Sequence, residues 1–471
     1  MKTYKIFFVL TFILSVKIFS QASGSIGISD ARSAAMGKTS VTSSFGLRAL
    51  GNNPANLFSD SSKHVELIIP FPLPNLSGSI GTNFISIDEY NYFFGYKTTD
   101  ADGKTIGRYL TEADKNRMKS LFEGGGAITS DVQLQLLAIS IKPSNKFGTI
   151  AFSIADIFSS NVTFPQGIVS IALDGNPVNQ VYNFNDTKLK AWWLRKYSFS
   201  YARSLNILPL FQKISFGVSF NIIQGFAYVG LDHVNTQLTT GSGNVITGKG
   251  DFLAYAAFSP DFNVKYDFDK STTKQDSKFS PFPTPAGSGF GFDFGLNAKL
   301  SDVWSFGFAI TDLGSVKWNK NAAQYSSNSP IYLDDLSNES QRDSLVKALV
   351  GKDSGKYISE FSTQLATALH LGASMQLNNL LLAFDYNQGF NDQPRNSKKP
   401  RFSIGADWAL GFFALRTGLS FGGFDKFNWG IGMGFDFGFL EMNFGTPDFQ
   451  SVVSQNTAKR ITIAFDSRWK F

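Results

Sequence analysis

The chain has no cysteine, which removes disulfides, thiolate catalysis, thiolate-bound metals and the acylated cysteine of a lipoprotein together. Histidine is scarce too, at three residues in 471. A hydrolase needs a histidine held beside a serine or an aspartate, whereas His64, His233 and His370 read as solvated or lumenal hydrogen-bonding residues. Charged residues make up only 17%, and loss of Lys2, Lys5 and Lys17 with a leader takes the net charge from +6 to +3. That is too weak for nucleic acid. No long apolar run follows the leader, which excludes a helical inner-membrane protein. Gly-x-Ser-x-Gly, P-loop and zinc spacings are missing, and Asp334-Asp335 lacks the regular loop of a calcium site. The expectation is a protein that is not an enzyme and needs no cofactor or metal.

Abundance lies elsewhere, in 48 phenylalanines and 43 glycines, with a mean hydropathy near zero. A sheet with lipid on one face and water on the other interleaves apolar and polar residues in similar numbers, and the average cancels. At the start, Lys2 and Lys5 precede an apolar stretch at 6–16 and a Ser20-Gln21-Ala22 cleavage site. This is a secretory signal peptide, expected over 1–22, with the mature chain beginning at Gln21 or Ser23.

Period-two alternation dominates the rest. Phe216, Val218, Phe220 and Ile222 alternate with Ser215, Gly217, Ser219 and Asn221; Phe292, Phe294 and Leu296 alternate with Gly291, Asp293 and Gly295. Similar strands begin at Trp304, Leu369, Phe402, Leu415, Phe427 and Ile461. With 76–87, 90–97, 132–142, 147–157, 192–205 and 251–269, the reading reaches about fourteen strands, an even number as bacterial barrels require. The expected fold is all-β, a single transmembrane antiparallel barrel over 63–471 in the bacterial outer membrane. A β-sandwich tolerates few aspartates opposite such phenylalanine ladders.

Polar insertions near 98–131 and 324–363 are too long for periplasmic turns and read as extracellular loops, with short helices at 112–122 and 343–350. Pro281-Phe282-Pro283-Thr284-Pro285 reads as a rigid turn. Lumenal charges, including Asp293, Lys299, Asp385, Asp407, Arg416 and Asp436, are expected to pair across the interior.

Residues 23–62 are small and polar, unlike the strands that follow, and Asn53-Pro54 favours a turn that opens a short helix. Ala31, Arg32, Met36 and Gly37, followed by Asn53, Pro54 and Ala55, then strands and a terminal Phe471, make the chain resemble the FadL-like superfamily of outer-membrane proteins. Within it the resemblance is to the Bacteroidetes branch with PorV-like and PorQ-like proteins and a related uncharacterised family, which shares a phrase similar to Asp312-Leu313-Gly314 and Trp318. The resemblance implies that 23–62 form a hatch inside the barrel and that Phe471 is a signal to the barrel assembly machinery. It also implies passive uptake of a small hydrophobic or amphiphilic compound, or else a secretion-system or surface-attachment accessory without transport. The implied partners are outer-membrane lipid, that machinery, and either a hydrophobic small molecule or secretion-system proteins. Asn56 and Gly46 stand where fatty-acid transporters of this superfamily carry a glycine and an acidic residue, so a substrate does not carry over and the ligand-binding residues stay unknown.

Overall fold

The computed structural model describes residues 30–58, 63–95, 97–99, 102–205, 209–269, 280–334, 339–341, 343–344, 354–423 and 426–471. The expected signal peptide, the first and last residues of the expected hatch and most of the expected helix at 343–350 lie outside them.

The first wall strand, β1, comes in two pieces, Val65–Ile68 and Asn75–Thr82, which pair with the same two neighbours. Pro70, Pro72 and Pro74 fall between the pieces, and proline has no N–H to give to a ladder. Then come β2 (Gly126–Ser144), β3 (Gly148–Phe164), β4 (Lys188–Leu205), β5 (Lys213–Val234), β6 (Gly287–Lys299) and β7 (Trp304–Trp318). The remaining wall strands are β8 (Ala368–Leu377), β9 (Leu380–Gly389), β10 (Arg401–Leu410), β11 (Phe413–Gly422), β12 (Lys426–Asp436), β13 (Leu440–Thr446) and β14 (Arg460–Lys470). Each pairs antiparallel with the next and β14 returns to β1, closing a 14-strand barrel without a free edge.

Closure lets neighbouring strands satisfy one another's backbone around the ring, the condition for standing in hydrocarbon. Outward residues of β6, namely Phe290, Phe292, Phe294 and Leu296, are exposed while Gly291, Asp293 and Gly295 between them are covered. Among the described residues no helix is long and apolar enough to cross a membrane; here the strands do so. The longest connections between strands lie on the side away from Phe471, which sets the periplasmic and extracellular ends of an outer-membrane barrel.

The strand number agrees with the sequence reading, but its members differ. Of the expected strand at 90–97, residues 90–95 are helical, because Ser86 and Glu89 form a capping box that starts the helix Ile87–Tyr90 and a π-turn follows over Asn91–Gly95. From 251–269, only the part up to Phe258 is extended, and it belongs to a sheet above the barrel. Two wall strands were missed, β9 and β13, each hidden behind a short turn, at Asn378-Asn379 and at Phe437-Gly438-Phe439. The insertion expected at 98–131 gives way to β2 at Gly126, after a helix, α1 (Glu112–Leu121), whose Met118 is buried. That expected at 324–363 begins within a strand: Ala322–Leu333 pairs with Ile246–Phe258.

This upper sheet grows from β5. Below Gly225, β5 pairs with β6; above a bulge at Phe226 it pairs with Ile246–Phe258 instead. The proline turn lies beside that branch. Asp156 and Arg195 sit on the outward parity of β3 and β4, paired at 2.7 Å, and Arg195 also donates to the Pro281 carbonyl at 2.9 Å beneath the Phe282 ring. A charged pair on the outer face is thus covered by the loop.

Candidate functional site

Residues 30–58 lie against the inward face of the wall. Asp30 caps a one-turn helix (Ala31–Ala35) by accepting from Ser33 N–H, and Asn53 accepts from Ala55 N–H where Pro54 opens a 3-10 turn over Pro54–Leu57. The wall meets this backbone with glycine. A Cβ at Gly405 or Gly430 would come within 2.6 Å of the Met36 or Ala35 carbonyl oxygen, and one at Gly372 within 2.7 Å of Val41 Cβ. Gly217 and Gly295 face Pro54 and Asn53, Gly307 faces Thr42, Gly418 faces Met36, and Gly432 and Gly445 face Ala35 and Ala31. On β9, small Ala383 packs with Met36 instead. Gly37 itself, at φ 63°, presses on the β11 backbone.

Polar groups complete this seat. Asp385 accepts from the Ser40 and Val41 amides at 2.6 and 3.0 Å. Arg32 pairs with Asp407 at 2.7 Å, and Arg416 reaches the same carboxylate at 3.0 Å. Arg48 bridges Glu441 at 2.7 Å and Asp466 at 3.0 Å, while Asp466 also accepts from the Ala31 amide at 2.9 Å. Arg468 ties Glu441 to Glu66, whose other contact is the Leu47 amide. Asn53 Nδ2 donates to the carbonyls of Val41 and Leu296, each at 3.0 Å. Asn56 donates to Val41 and accepts from Asn297 of β6.

Of the charges expected to pair across the interior, Asp385, Asp407 and Arg416 meet the N-terminal segment or each other, and Asp293 meets Lys196 of β4 at 3.6 Å. Lys299 and Asp436 do not cross. Lys299 pairs with Asp302 in the turn three residues on, and Asp436 with Lys470 at the periplasmic ends of β12 and β14, past the intervening β13. Arg48, Glu66, Glu441 and Lys196 were not singled out from sequence. Arg48 carried a signal, one of two guanidinium groups in a segment otherwise mostly small; Glu441 was lost with β13.

Above this seat, Asp312 takes φ 54° in a bulge of β7. Its amide donates to Asp293 at 2.7 Å and its carboxylate accepts from Lys196 at 2.7 Å. Gly314 abuts the Phe290 carbonyl, and Trp318 is fully buried with Trp192, Tyr228, Phe361 and Leu365 under the upper sheet. The Asp312 to Trp318 phrase therefore marks where the wall bends and the lumen is roofed on that side. His370 bonds Thr311 and Asn387, His64 reaches the Lys142 carbonyl, and His233 lies 3.3 Å from Asp251. Phe471 exchanges backbone hydrogen bonds with Val65 and leaves its ring exposed.

On the opposite side of the mouth lies a cavity of about 720 Å³. Lys188, Lys398, Lys399, Lys426 and Lys459 line it, with Glu123, Asp186 and Asp392 and an apolar edge at Phe84 and Leu121. The connection 390–400 folds inward nearby, where Arg395 pairs with Asp131 of β2 at 3.1 Å and Asn396 donates to the Thr367 carbonyl. At the periplasmic end, smaller cavities of about 250 and 380 Å³ share Phe45 of the N-terminal segment.

The profile of a family described as Family of unknown function (DUF5723) matches residues 57–446. No curated protein matches the chain. Among solved structures the chain is similar to the toluene transporter TodX of Pseudomonas putida, at 13% identity over 96% of this chain and 99% of that one with a TM-score of 0.44. It is also similar to a FadL homologue of Pseudomonas aeruginosa, at 12% identity over 96% and 100% with a TM-score of 0.46. At that distance neither says what this barrel carries.

Proposed function

The chain belongs to DUF5723, a family of unknown function, and from the barrel's own geometry we propose that it passes a small hydrophobic or amphiphilic compound passively across the outer membrane. One observation carries the reading: an extracellular cavity large enough for a small molecule, lined in part by the 390–400 connection and by none of residues 30–58, stands apart from the periplasmic cavities, which residues 30–58 help to line. An open pore admits whatever fits, whereas a cup above a plug holds a solute before it moves on. Residues 30–58 then act as the hatch. Ala31, Arg32, Met36, Gly37, Asn53, Pro54 and Ala55 are its seating points, and Phe471 serves assembly.

Reconstitution into liposomes tests this. Small amphiphiles should enter faster than into empty vesicles while sugars of similar size stay out, and removal of residues 30–58 should abolish the discrimination. Entry no faster than through bare lipid would overturn the proposal.

A further inference from the structure

We propose that the extracellular cavity is an anion site, and that the compound it takes carries a phosphate-type or similarly compact multiply charged anionic group on a short apolar body. The inference rests on the uptake reading for what happens after capture, but the site itself stands on the cavity's chemistry.

Five lysines converge on it from four separate places in the chain: the start of β4, the 390–400 connection, the start of β12 and the residue before β14. Unlike a basic run on one helix face, they are brought together only by closure of the barrel. Three carboxylates share the lining, and two ion pairs draw on it, Lys398 with Asp392 at 3.9 Å and Lys459 with Glu89 at 3.8 Å. Among the described residues, Lys188, Lys399 and Lys426 form no ion pair, so the cationic excess falls on these three. Their proximity has an electrostatic signature. Burial pulls the Lys399 ammonium below its ordinary range, and repulsion from Lys188 and Lys426 adds to the effect, opposed by Asp392. Lys459 is pulled down by burial, and Lys426 adds to that as well. A cluster of ammonium groups that destabilise one another is relieved by a bound anion, and ammonium is a compact point-charge partner for phosphate oxygens. Phe84 and Leu121 offer the apolar edge against which a short hydrocarbon can lie, Phe84 being backed by Phe122 with ring centroids 4.4 Å apart.

The test uses the full-length barrel in detergent, titrated calorimetrically with hexyl phosphate, hexanol and hexyltrimethylammonium. Hexyl phosphate should bind about tenfold or more tightly than the other two, and less tightly as salt is raised. The triple substitution Lys188→Gln, Lys399→Gln and Lys426→Gln should erase that preference while leaving heat-modifiable gel mobility, and hence the folded barrel, unchanged. Equal binding of hexanol, or a triple variant that binds hexyl phosphate as well as the parent, would overturn the inference. Liposome entry separates this from the uptake reading. Lysine-dependent binding without protein-dependent entry keeps the anion site and overturns uptake; equal entry of hexanol and hexyl phosphate, indifferent to the lysines, keeps uptake and overturns the anion site.

Discussion

The inward face of one barrel wall is built in two ways. Around residues 30–58 it is glycine, on β5 to β8 and β10 to β13, so another backbone can lie directly on the strands. At the extracellular mouth the lining changes to lysine, aspartate and asparagine, long or polar side chains that leave a cavity of about 720 Å³. The alternation that puts phenylalanine toward lipid is the same in both regions. What differs is the size of the inward residue, and that decides whether the lumen is filled by the chain itself or left for something else. Glycine in a strand lacks a side chain to pack; here the N-terminal segment supplies that packing.

The sharpest way to break the filled region is through its buried charges. Arg48 is the guanidinium between Glu441 and Asp466, all three nearly inaccessible to water. Arg48→Met should destabilise the seated segment by about 3–5 kcal/mol, because two buried carboxylates lose their shared partner. Urea titration of folded barrel by gel mobility, with protease sensitivity of residues 30–58 as a second readout, measures it. A shift within error would mean that the segment does not depend on its ion pairs.

Gly418→Val attacks the same region sterically. Its side chain would occupy the Met36 carbonyl group, and overpacking of this kind costs about 1–3 kcal/mol. The wall should remain closed, so the effect should appear as increased conductance rather than loss of folded barrel. A similar exchange at Gly107, whose added Cβ meets nothing within 4 Å, is the control that separates a seat from a tolerant loop.

Asn53→Leu should have a smaller effect, nearer 1 than 3 kcal/mol. It removes two donated bonds and the cap on the Ala55 amide, but the Val41 carbonyl keeps its bond from Asn56, so chiefly the Leu296 contact and the cap are lost. Thermal loss of gel mobility would register it, and a cost equal to that of Arg48→Met would contradict the ranking.

These sites differ in how far they could be read from residues alone. Alternation exposes the wall, because lipid and lumen impose opposite requirements on neighbouring positions; it gave fourteen strands yet admitted 90–97 and skipped β9 and β13. Parity cannot distinguish a strand from a helical turn such as Ile87–Tyr90 unless the Ser86 and Glu89 cap is weighed as well. Nor does it reveal a strand that follows a two-residue turn without a break in the apolar pattern, as at Leu380. Asn53 and Pro54 were legible because a cap and a proline act locally. The pairing of Arg48 with Glu441, 393 positions away, and the gathering of Lys188, Lys399, Lys426 and Lys459 depend on ring closure, which no local pattern encodes.

The smallest expected effect belongs to the mouth and is set by pH. Asp114, in the first turn of α1, is held down to about 2 from an ordinary 3.8, first by the hydrogen bond from Tyr92, then by bonds from Thr111, with burial opposing. Tyr92 donates to Asp114 at 2.5 Å and itself accepts from Arg108 at 2.6 Å. A carboxylate with a depressed folded value adds stability that is fully present above the unfolded value and is lost as pH falls through the folded one. Capping of α1 should therefore be intact above 3.8, weaken between 3.8 and about 2, and be gone below. Tyr92→Phe removes the largest contribution and should move that loss upward toward 3.8. Hydrogen exchange of the α1 amides, compared between parent and variant at matched pH, reads the difference directly. Because the wall hydrogen bonds close without α1, the strands of both proteins should stay equally protected throughout. Wall amides that loosen together with α1 would mean that the mouth and barrel open as one unit, erasing the contrast between the two regions.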